Sequence, residues 1–173
     1  MKRVILGIGT NLGDKAGNLK TALGSINENI GRVVRTSSVY ETQPWGFNSE
    51  DQFLNMVAEV ESELKPSGLL GRILMIESKM GRLRNGKEYA SRLIDIDILF
   101  FEDKILDTKS LVIPHPKLHE RKFVLVPLAE IAPDFIHPIF KKDVKTLLKE
   151  CRDKGNIRLH DCTIQEAKRR SSA

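Results

Sequence analysis

The alternating run RLIDIDILFF, residues 92–101, constrains the fold of this 173-residue chain more than any other stretch. Successive side chains of a β-strand point to opposite faces, so the run predicts a strand with one apolar and one acidic face. The acidic face holds Asp95 and Asp97. The apolar face is predicted to comprise four residues, Ile94, Ile96, Ile98 and Phe100. The isoleucines are expected to bury one face and thereby to fix the spacing of the two carboxylates on the other.

Five further periodic segments precede this strand and indicate the fold class. They predict a strand at the start of the chain, a helix over residues 19–30, a strand in RVVRTSSVYET, a strand in FLNMVAEVES, and a helix after Pro66 that ends at Gly81. The resulting β-α-β-β-α-β order predicts an α+β protein with a ferredoxin-like βαββαβ core. The glycine-rich GIGTNLG is interpreted mainly as a strand-to-helix turn, because its spacing fits neither nucleotide-binding glycine pattern.

The rest of the chain is predicted to add a C-terminal hairpin and helices to this core. The hairpin lies around KILDTKSLVI, one helix in VLVPLAEIAP and another near residues 144–151, and a basic tail over about residues 160–173 is expected to fray. No linker divides residues 1–173, so a single domain is predicted, and the lack of a leftover apolar stripe favours a monomer. No apolar run approaches the roughly 18 residues of a membrane span, which predicts a cytoplasmic protein without a membrane partner.

Asp95 and Asp97 leave three alternatives for the chemistry of the strand. The rise of a strand puts their Cα atoms about 6.6 Å apart, which lets the carboxylates share divalent cations. Two solvated carboxylates on a half-exposed strand would need no ligand. An acid and base pair would need unlike environments, and neighbouring positions on one strand face argue against that. A metal site is therefore favoured over a glycosidase-type pair.

The loop that feeds the strand, RLRNGKEYAS with the following Arg92, is strongly basic and contains Glu88 as its only acid. Its cations are Arg82, Arg84, Lys87 and Arg92. Guanidinium groups bind phosphate oxygens bidentately, and Mg²⁺ on a nucleotide needs few protein ligands. Together with the aspartates the loop predicts phosphoryl-type transfer, and the alternative is a loop that is basic only to stay solvated. The net charge of +5 also favours anionic partners.

Two other features allow a structural interpretation beside a functional one. HPKLH places His115 and His119 four residues apart, as in some zinc sites, but a proline interrupts the spacing and the metalloprotease glutamate is missing. A single histidine near phosphate is favoured instead. Phe53 and Phe123 fit a core as well as a binding site, and Asn55 fits an exposed strand position.

Taken together, RLIDIDILFF preceded by Arg82 and Arg84, with FLN before it and IPHPKLHERKF after it, resembles the 6-hydroxymethyl-7,8-dihydropterin pyrophosphokinases of the folate pathway. The motifs occur in the family's order and spacing from about residue 3 to residue 138. The resemblance implies transfer of the β,γ-pyrophosphoryl group of ATP to the hydroxymethyl group of the dihydropterin, with release of AMP. It also implies two Mg²⁺ ions that bridge the phosphates, and small-molecule rather than nucleic-acid partners.

The resemblance further implies roles for individual residues. The implied catalytic residues are Arg82, Arg92, Asp95 and Asp97, of which the two aspartates are the metal ligands. The implied ATP-binding residues are Glu77, Arg82, Arg84, Tyr89, Arg92, Ile98, His115 and Arg121. The implied pterin-binding residues are Thr42, Gln43, Pro44, Trp45, Phe53, Asn55 and Phe123.

The implied pterin site agrees with the chemistry of its ligand. A flat ring with a polar rim fits a pocket of two aromatic rings and one amide. The loops PWGFNSEDQ and RLRNGKEYAS would close over the substrates and exclude water. The sequence departs from the family pattern at five positions that bear on ATP affinity and lid closure, namely Leu74, Glu88, Tyr89, Ser110 and Val112.

Two rival functions remain at the level of sequence. The split βαβ order and the basic charge also suit an RNA-binding module, but such a module would carry aromatic residues where this strand has aspartates. Another Mg²⁺-dependent nucleotidyl or phosphoryl transferase is the second rival. It would not require Phe53, Asn55 and Phe123 to converge.

Overall fold

The structure is a computed structural model, and it describes residues 1–42, 52–81 and 93–160. It is a mixed α/β fold. The described strands are β1 (Lys2–Thr10), β2 (Arg32–Thr36), β3 (Val39–Thr42), β4 (Phe53–Ser62), β5 (Asp95–Phe101), β6 (Leu106–Asp107), β7 (Val112–Ile113) and β8 (Ile157–His160). The described helices are α1 (Lys15–Asn29), α2 (Pro66–Lys79), α3 (Lys122–Ile131) and α4 (Val144–Glu150), with a 3₁₀ turn at Leu118–Glu120.

The main sheet is antiparallel and has the order β5-β1-β4-β3-β8, with β2 also paired to β4. The prediction of one strand in RVVRTSSVYET is wrong, because β2 and β3 are separate strands that pair with successive parts of β4. Ser37 lies between them, and its hydroxyl accepts the N–H of Val57 at 2.9 Å. A serine side chain that takes over a backbone partner interrupts the ladder at that point.

Both faces of the sheet are covered, and each has its own buried core. Alternate residues of β1 point to opposite faces and belong to different cores. Leu6 packs in the core that includes residues of α1 and α2, whereas Ile5 packs in the core that includes residues of α3 and α4. Glu130 of α3 fastens the second layer to β3, since its carboxylate accepts the Tyr40 hydroxyl at 2.8 Å. Burial and the neighbouring carboxylate raise the pKa of Tyr40 to about 12, so the hydroxyl stays a donor.

A β-bulge in β5 corrects the predicted apolar face of that strand. Ile5 pairs with Phe100 but the next residue, Leu6, pairs with Ile98, so β5 contains one extra residue. Phe100 therefore points to the α3 and α4 layer, and Phe101 takes its expected place beside Ile98. Asp95 and Asp97 precede the bulge and keep the shared face that the alternation predicted.

The interpretation of GIGTNLG as a turn is wrong for its first half. Gly7 and Gly9 lie inside β1, which continues to Thr10. The turn into α1 follows, with Gly13 at a φ of 64° and the Asp14 side chain accepting the Gly17 N–H at 3.1 Å as the helix cap. Gly7 and Gly9 thus leave the second half of β1 without side chains on the face where Ile5 packs against residues of α3 and α4.

The end of the chain contains a strand that the sequence analysis missed. β6 and β7 form a separate two-stranded sheet, and α3 and α4 occupy the segments where helices were predicted. β8 then pairs with β3 at the margin of the main sheet. Residues 161–173, most of the tail that was expected to fray, lie outside the described residues. None of the described helices has the length and apolar character needed to cross a membrane.

Candidate active site

The two aspartates of β5 lie beside the glycines of β1. Asp95 is opposite Gly9 and Asp97 is opposite Gly7, and both carboxylates are half-buried. Directly opposite residues of an antiparallel pair project to the same face of the sheet. Because Gly9 has no side chain, β1 leaves room for a ligand next to Asp95, whereas the Leu99 side chain packs over Gly7, 3.5 Å from the position of an added Cβ.

Asn55 borders the same open space from the other side. It is opposite Gly9 in β4, so Gly9 lies between Asn55 and Asp95. Two strand spacings separate the Cα atoms of Asn55 and Asp95 by about 10 Å. Asn55 is 7% exposed, and its Nδ2 donates to Thr42 Oγ1 at 2.7 Å. The bond directs Oδ1 toward β1, where a Cβ built on Gly9 would lie 2.7 Å from it.

The two aromatic residues predicted for the pterin site lie on the same side of the sheet as Asn55. Phe53 starts β4 opposite Thr42, and Phe123 lies in the first turn of α3, the helix that packs on the same side of the sheet. Both rings are half-buried, and the Phe123 ring also packs against the core that includes residues of α3 and α4. The Arg121 guanidinium carbon is 5.6 Å from the centroid of the Phe123 ring, within the range of a cation–π contact.

His115 links the aspartates to Arg121. Its backbone N–H donates to the Leu99 carbonyl at 3.0 Å, and its Nδ1 accepts the Lys117 N–H at 3.1 Å. Burial lowers the pKa of His115 to about 4, with help from the positive charges of Arg121 and Lys117 and against the attraction of Asp95. His115 is therefore a neutral imidazole at physiological pH.

Glu77 supports β5 from α2. Its side chain is 2% exposed in the fold, and Oε2 accepts the N–H of Ile96 at 3.2 Å. Ile96 lies between the two aspartates, and β5 is the last strand of the sheet order. The geometry places Glu77 where it holds the strand that presents Asp95 and Asp97, a positioning role that sequence reasoning did not separate from ATP contact.

A cavity of about 290 Å³ opens at this margin of β5. Its lining includes the predicted residues Asp97, Ile98 and His115, which the fold therefore brings together. The lining also contains residues that sequence reasoning did not select or noted only as departures, namely Leu70, Ile73, Ile96, Lys109, Ser110, Leu111, Val112 and Pro116. The apolar residues that follow KILDTK in the sequence could have indicated this part of the cavity lining. The apolar character of this wall favours the binding of a flat, weakly polar group.

The carboxylate pair fits Mg²⁺ better than it fits zinc. Within the described ranges, no three His, Cys, Asp or Glu side chains form a metal cage. Mg²⁺ is commonly bound by one or two carboxylates, with substrate phosphates and waters completing its shell. Asp95 and Asp97 beside an open space meet that requirement. The His119 ring packs against Phe140, with centroids 4.7 Å apart, and a zinc pair with His115 has no support.

Part of the predicted site lies outside the described residues. These positions are Gln43, Pro44, Trp45, Arg82, Arg84, Tyr89 and Arg92. The described site residues are Thr42, Phe53, Asn55, Glu77, Asp95, Asp97, Ile98, His115, Arg121 and Phe123. Asp97, Ile98 and His115 line the cavity, whereas Thr42, Phe53, Asn55 and Asp95 lie on the strands around Gly9.

We predict that His115 makes the fold sensitive to acid. Its pKa is about 4 in the folded protein and 6.5 as the ordinary value, so the unfolded chain binds more protons between these values. The stability that the neutral His115 contributes to the folded protein is fully present above pH 6.5 and is lost as the pH falls toward 4. Melting temperatures measured across this window should fall less steeply for His115→Gln than for the unchanged protein. His160→Gln on β8 serves as the control, and equal slopes for His115→Gln and the unchanged protein would contradict the assignment.

Comparisons with known proteins show the family to which the chain is related. The 7,8-dihydro-6-hydroxymethylpterin-pyrophosphokinase family model matches residues 5–133. The 2-amino-4-hydroxy-6-hydroxymethyldihydropteridine pyrophosphokinase of Aquifex aeolicus is 39% identical over 165 residues, which cover 95% of this chain and 99% of that protein. The protein of the same name from Methylorubrum extorquens is 46% identical over 137 residues, which cover 79% and 86%.

A solved structure supports the fold. The Plasmodium falciparum HPPK-DHPS structure, wild type with SDX-DHP, superposes with a TM-score of 0.69 at 19% identity. The match covers 87% of this chain but only 43% of that one, so this chain spans less than half of the solved protein. The relatives confirm the family and the pyrophosphokinase function predicted from the sequence, and they remove the RNA-binding alternative. The chain belongs to the 7,8-dihydro-6-hydroxymethylpterin-pyrophosphokinase family.

Proposed function

We propose that the face of the sheet around Gly9 is where the protein joins a dihydropterin to the pyrophosphoryl group of ATP. The observation that carries the proposal is the position of Gly9 between Asn55 and Asp95. An amide that can read the polar rim of a pterin and a carboxylate that can bind a metal border the same open space. Their separation of about 10 Å leaves room for the pterin's hydroxymethyl group to approach the phosphates.

The proposed reaction is a displacement at the β-phosphorus of ATP. The hydroxymethyl oxygen of 6-hydroxymethyl-7,8-dihydropterin forms a bond to that phosphorus, and the bond from it to the α,β-bridging oxygen breaks. AMP leaves with the bridging oxygen and its electron pair, and the hydroxyl proton passes to water. Alignment of the two substrates and neutralisation of charge are expected to supply most of the rate.

Asp95 and Asp97 are proposed to hold two Mg²⁺ ions, which would shield the phosphate oxygens when bound. The support is the shared strand face of the two carboxylates and the absence of β1 side chains next to them. Glu77 assists by fixing Ile96 between them. Arg82 and Arg92 are proposed, from the sequence resemblance, to bind the phosphates and to stabilise the leaving group.

The pterin is proposed to lie between Phe53 and Phe123, with its rim against Asn55. Oδ1 of Asn55 is proposed to accept an N–H of the ring, because the bond from Nδ2 to Thr42 fixes the amide with Oδ1 directed toward β1. Both aromatic rings border the layer between the sheet and α3, and both are half-buried before a ligand adds its own surface. Thr42, Gln43, Pro44 and Trp45 remain proposed pterin contacts on the strength of the resemblance.

The adenine end of ATP is proposed to occupy the cavity at the margin of β5. Ile98 and His115 line it, and Asp97 connects it to the metal site. Because Nδ1 of the neutral His115 already accepts the Lys117 N–H, its Nε2–H is proposed to donate a hydrogen bond to the base without adding charge beside it. Arg121 is proposed to meet the phosphates, and Arg84 and Tyr89 stay proposed nucleotide contacts. Ser110 and Val112 line this wall, and the sequence resemblance implies more polar or basic groups at these positions.

The proposal extends to the architecture. The order β5-β1-β4, followed by β2 and β3 on the far side of β4, supports a ferredoxin-like core in which α1 and α2 share one layer. We propose one domain over residues 1–173 and a monomer in the cytoplasm. The small β6 and β7 sheet and the helices α3 and α4 would be the additions that complete the nucleotide and pterin sides.

The test is to mix the protein with Mg-ATP and the hydroxymethyl-dihydropterin and to identify the nucleotide product. AMP formed in equal amount to the dihydropterin diphosphate is the expected result. ADP would show transfer of a single phosphoryl group, and no product would contradict the activity. Replacing Mg²⁺ by chelator tests the metal separately, and unchanged AMP formation would contradict a metal role for the aspartates.

A further inference from the structure

A short C-terminal segment, residues 153–157, joins two sides of the proposed pterin pocket. At its start, Asp153 Oδ2 accepts the Lys122 N–H at 3.0 Å, and Oδ1 accepts the Gly155 N–H at 2.8 Å. At its end, Ile157 pairs with Thr42 as β8 begins. The family match ends at residue 133, so this segment lies beyond the residues that the family model covers.

Asp153 supplies a hydrogen-bond acceptor that the N-cap residue at the start of α3 does not provide. The first N–H groups of a helix need an acceptor from outside the helix. Arg121 holds the N-cap position of α3, and a guanidinium has donors only, so it cannot serve as that acceptor. Asp153, which comes 31 residues after Lys122, provides the acceptor and places a negative charge at the positive end of the helix. The turn it holds contains Phe123.

The other end of the segment fixes the opposite side of the pocket. Thr42 is the last residue of β3, and its hydroxyl accepts the Asn55 amide that is proposed to read the pterin. β8 pairs with all four residues of β3, Val39, Tyr40, Glu41 and Thr42. The distance between the Phe123 turn and the Thr42 strand end is therefore spanned by five residues with a fixed contact at each end.

We infer that residues 153–157 form a clasp across the proposed pterin pocket, and that Asp153 is a positioning residue for pterin binding. The inference rests on the proposed function, because it takes Phe123 and Asn55 as walls of the pterin pocket. Asp153 acts through the first turn of α3 and has no contact with the reacting atoms. The clasp keeps the two walls at the spacing of a flat ring, which is the part of the site where small displacements matter most.

Asp143 provides a matched control for the test. Its Oδ1 accepts the Thr146 N–H at 2.9 Å and caps α4, away from the pterin pocket. Asp153→Ala and Asp143→Ala each remove one helix cap, so both should lower the melting temperature. Only Asp153→Ala should raise the KM for the pterin, by about fivefold, the factor expected for one lost hydrogen bond. Its kcat at saturating pterin should stay within about twofold of the unchanged protein, since the groups at the phosphates are intact.

Asp153→Asn is the conservative variant and should restore part of the pterin affinity, because its one side-chain oxygen can still accept the Lys122 N–H while the bond from the Gly155 N–H is lost. Lys122→Pro tests the bond from the donor side and is tolerated at the first position of a helix. Arg121 already has the extended conformation that a following proline requires, with φ −117° and ψ 106°. This variant should also raise the pterin KM. If Asp153→Ala does not fold, Lys122→Pro still tests whether the bond from the Lys122 N–H to Asp153 supports pterin binding.

Equal pterin KM values for Asp153→Ala and Asp143→Ala would overturn the clasp, as would an unchanged KM in Lys122→Pro. Asn55→Ala separates this failure from a failure of the proposed site. If Asn55→Ala leaves the pterin KM unchanged, the pocket itself is wrongly placed. If Asn55→Ala raises the KM and the Asp153 and Lys122 variants do not, the pocket stands and only the clasp is wrong.

Discussion

Asp97→Ala is expected to lower AMP formation by a factor on the order of 10² to 10³, the loss seen when a preorganised charge-stabilising group is removed. Asp97 lies opposite Gly7 of β1 and also lines the cavity, so its carboxylate is where the proposed metal would connect the proposed pterin and nucleotide sides. Its loss should leave pterin binding in the absence of ATP close to that of the unchanged protein. The measurement is product formation with saturating Mg-ATP and pterin, combined with pterin titration by fluorescence.

Asp103→Ala is the control for this prediction. Asp103 is an exposed aspartate just past the end of β5, and its removal tests whether any nearby negative charge matters. Asp103→Ala should retain full turnover. Near-normal turnover in Asp97→Ala, or an equal loss in both variants, would contradict the metal assignment. Both proteins should melt near the temperature of the unchanged chain, because neither carboxylate belongs to the buried core.

Gly9→Ala is expected to raise the pterin KM by about 10- to 100-fold, since displacing a buried hydrogen-bonding group costs about 1–3 kcal/mol. The added Cβ would lie 2.7 Å from Asn55 Oδ1, closer than side-chain carbons approach an oxygen in folded proteins. Asn55 has little freedom to withdraw, because its Nδ2 is bonded to Thr42 at 2.7 Å. The KM for ATP should change by less than about twofold, because the cavity at the far margin of β5 is not touched.

Gly7→Ala is the matched control, two residues earlier on the same face of β1. The atoms nearest to a Cβ at Gly7 belong to the Leu99 side chain, at 3.5 Å, which is an ordinary contact distance. Gly7→Ala should therefore keep the pterin KM. The double variant Gly9→Ala with Asn55→Ala should bind pterin no worse than Asn55→Ala alone, since the clash is gone. Additive losses in that double variant would mean that Gly9 acts through something other than Asn55.

The periodicity of the sequence predicted the parts of the site that depend on local pattern. Alternation alone placed Asp95 and Asp97 on one strand face, and the structure keeps them there. The same alternation put Phe100 on the wrong face, because the bulge depends on how β5 pairs with β1. Such registers are set by contacts between distant segments, which a single strand's pattern does not contain.

Two glycines were assigned to the wrong element of structure. Gly7 and Gly9 were assigned to a turn because glycine is typical of turns, although they lie within β1. Their role becomes visible only when Asn55 and Asp95 are seen on either side. Asp153 likewise has no local signal, since its partner is the backbone of Lys122 in a different part of the chain. The missed residues are those whose function comes from a distant neighbour.

The bond from Ile96 to Glu77 has a consequence for the behaviour of the protein in concentrated solution. A strand at the margin of a sheet offers backbone groups that other chains can pair with, and this is a common start of aggregation. β5 must remain at that margin, because the cavity proposed for the nucleotide opens beside it. A buried carboxylate that occupies one of its N–H groups protects the strand from intermolecular pairing without covering the nucleotide's entrance.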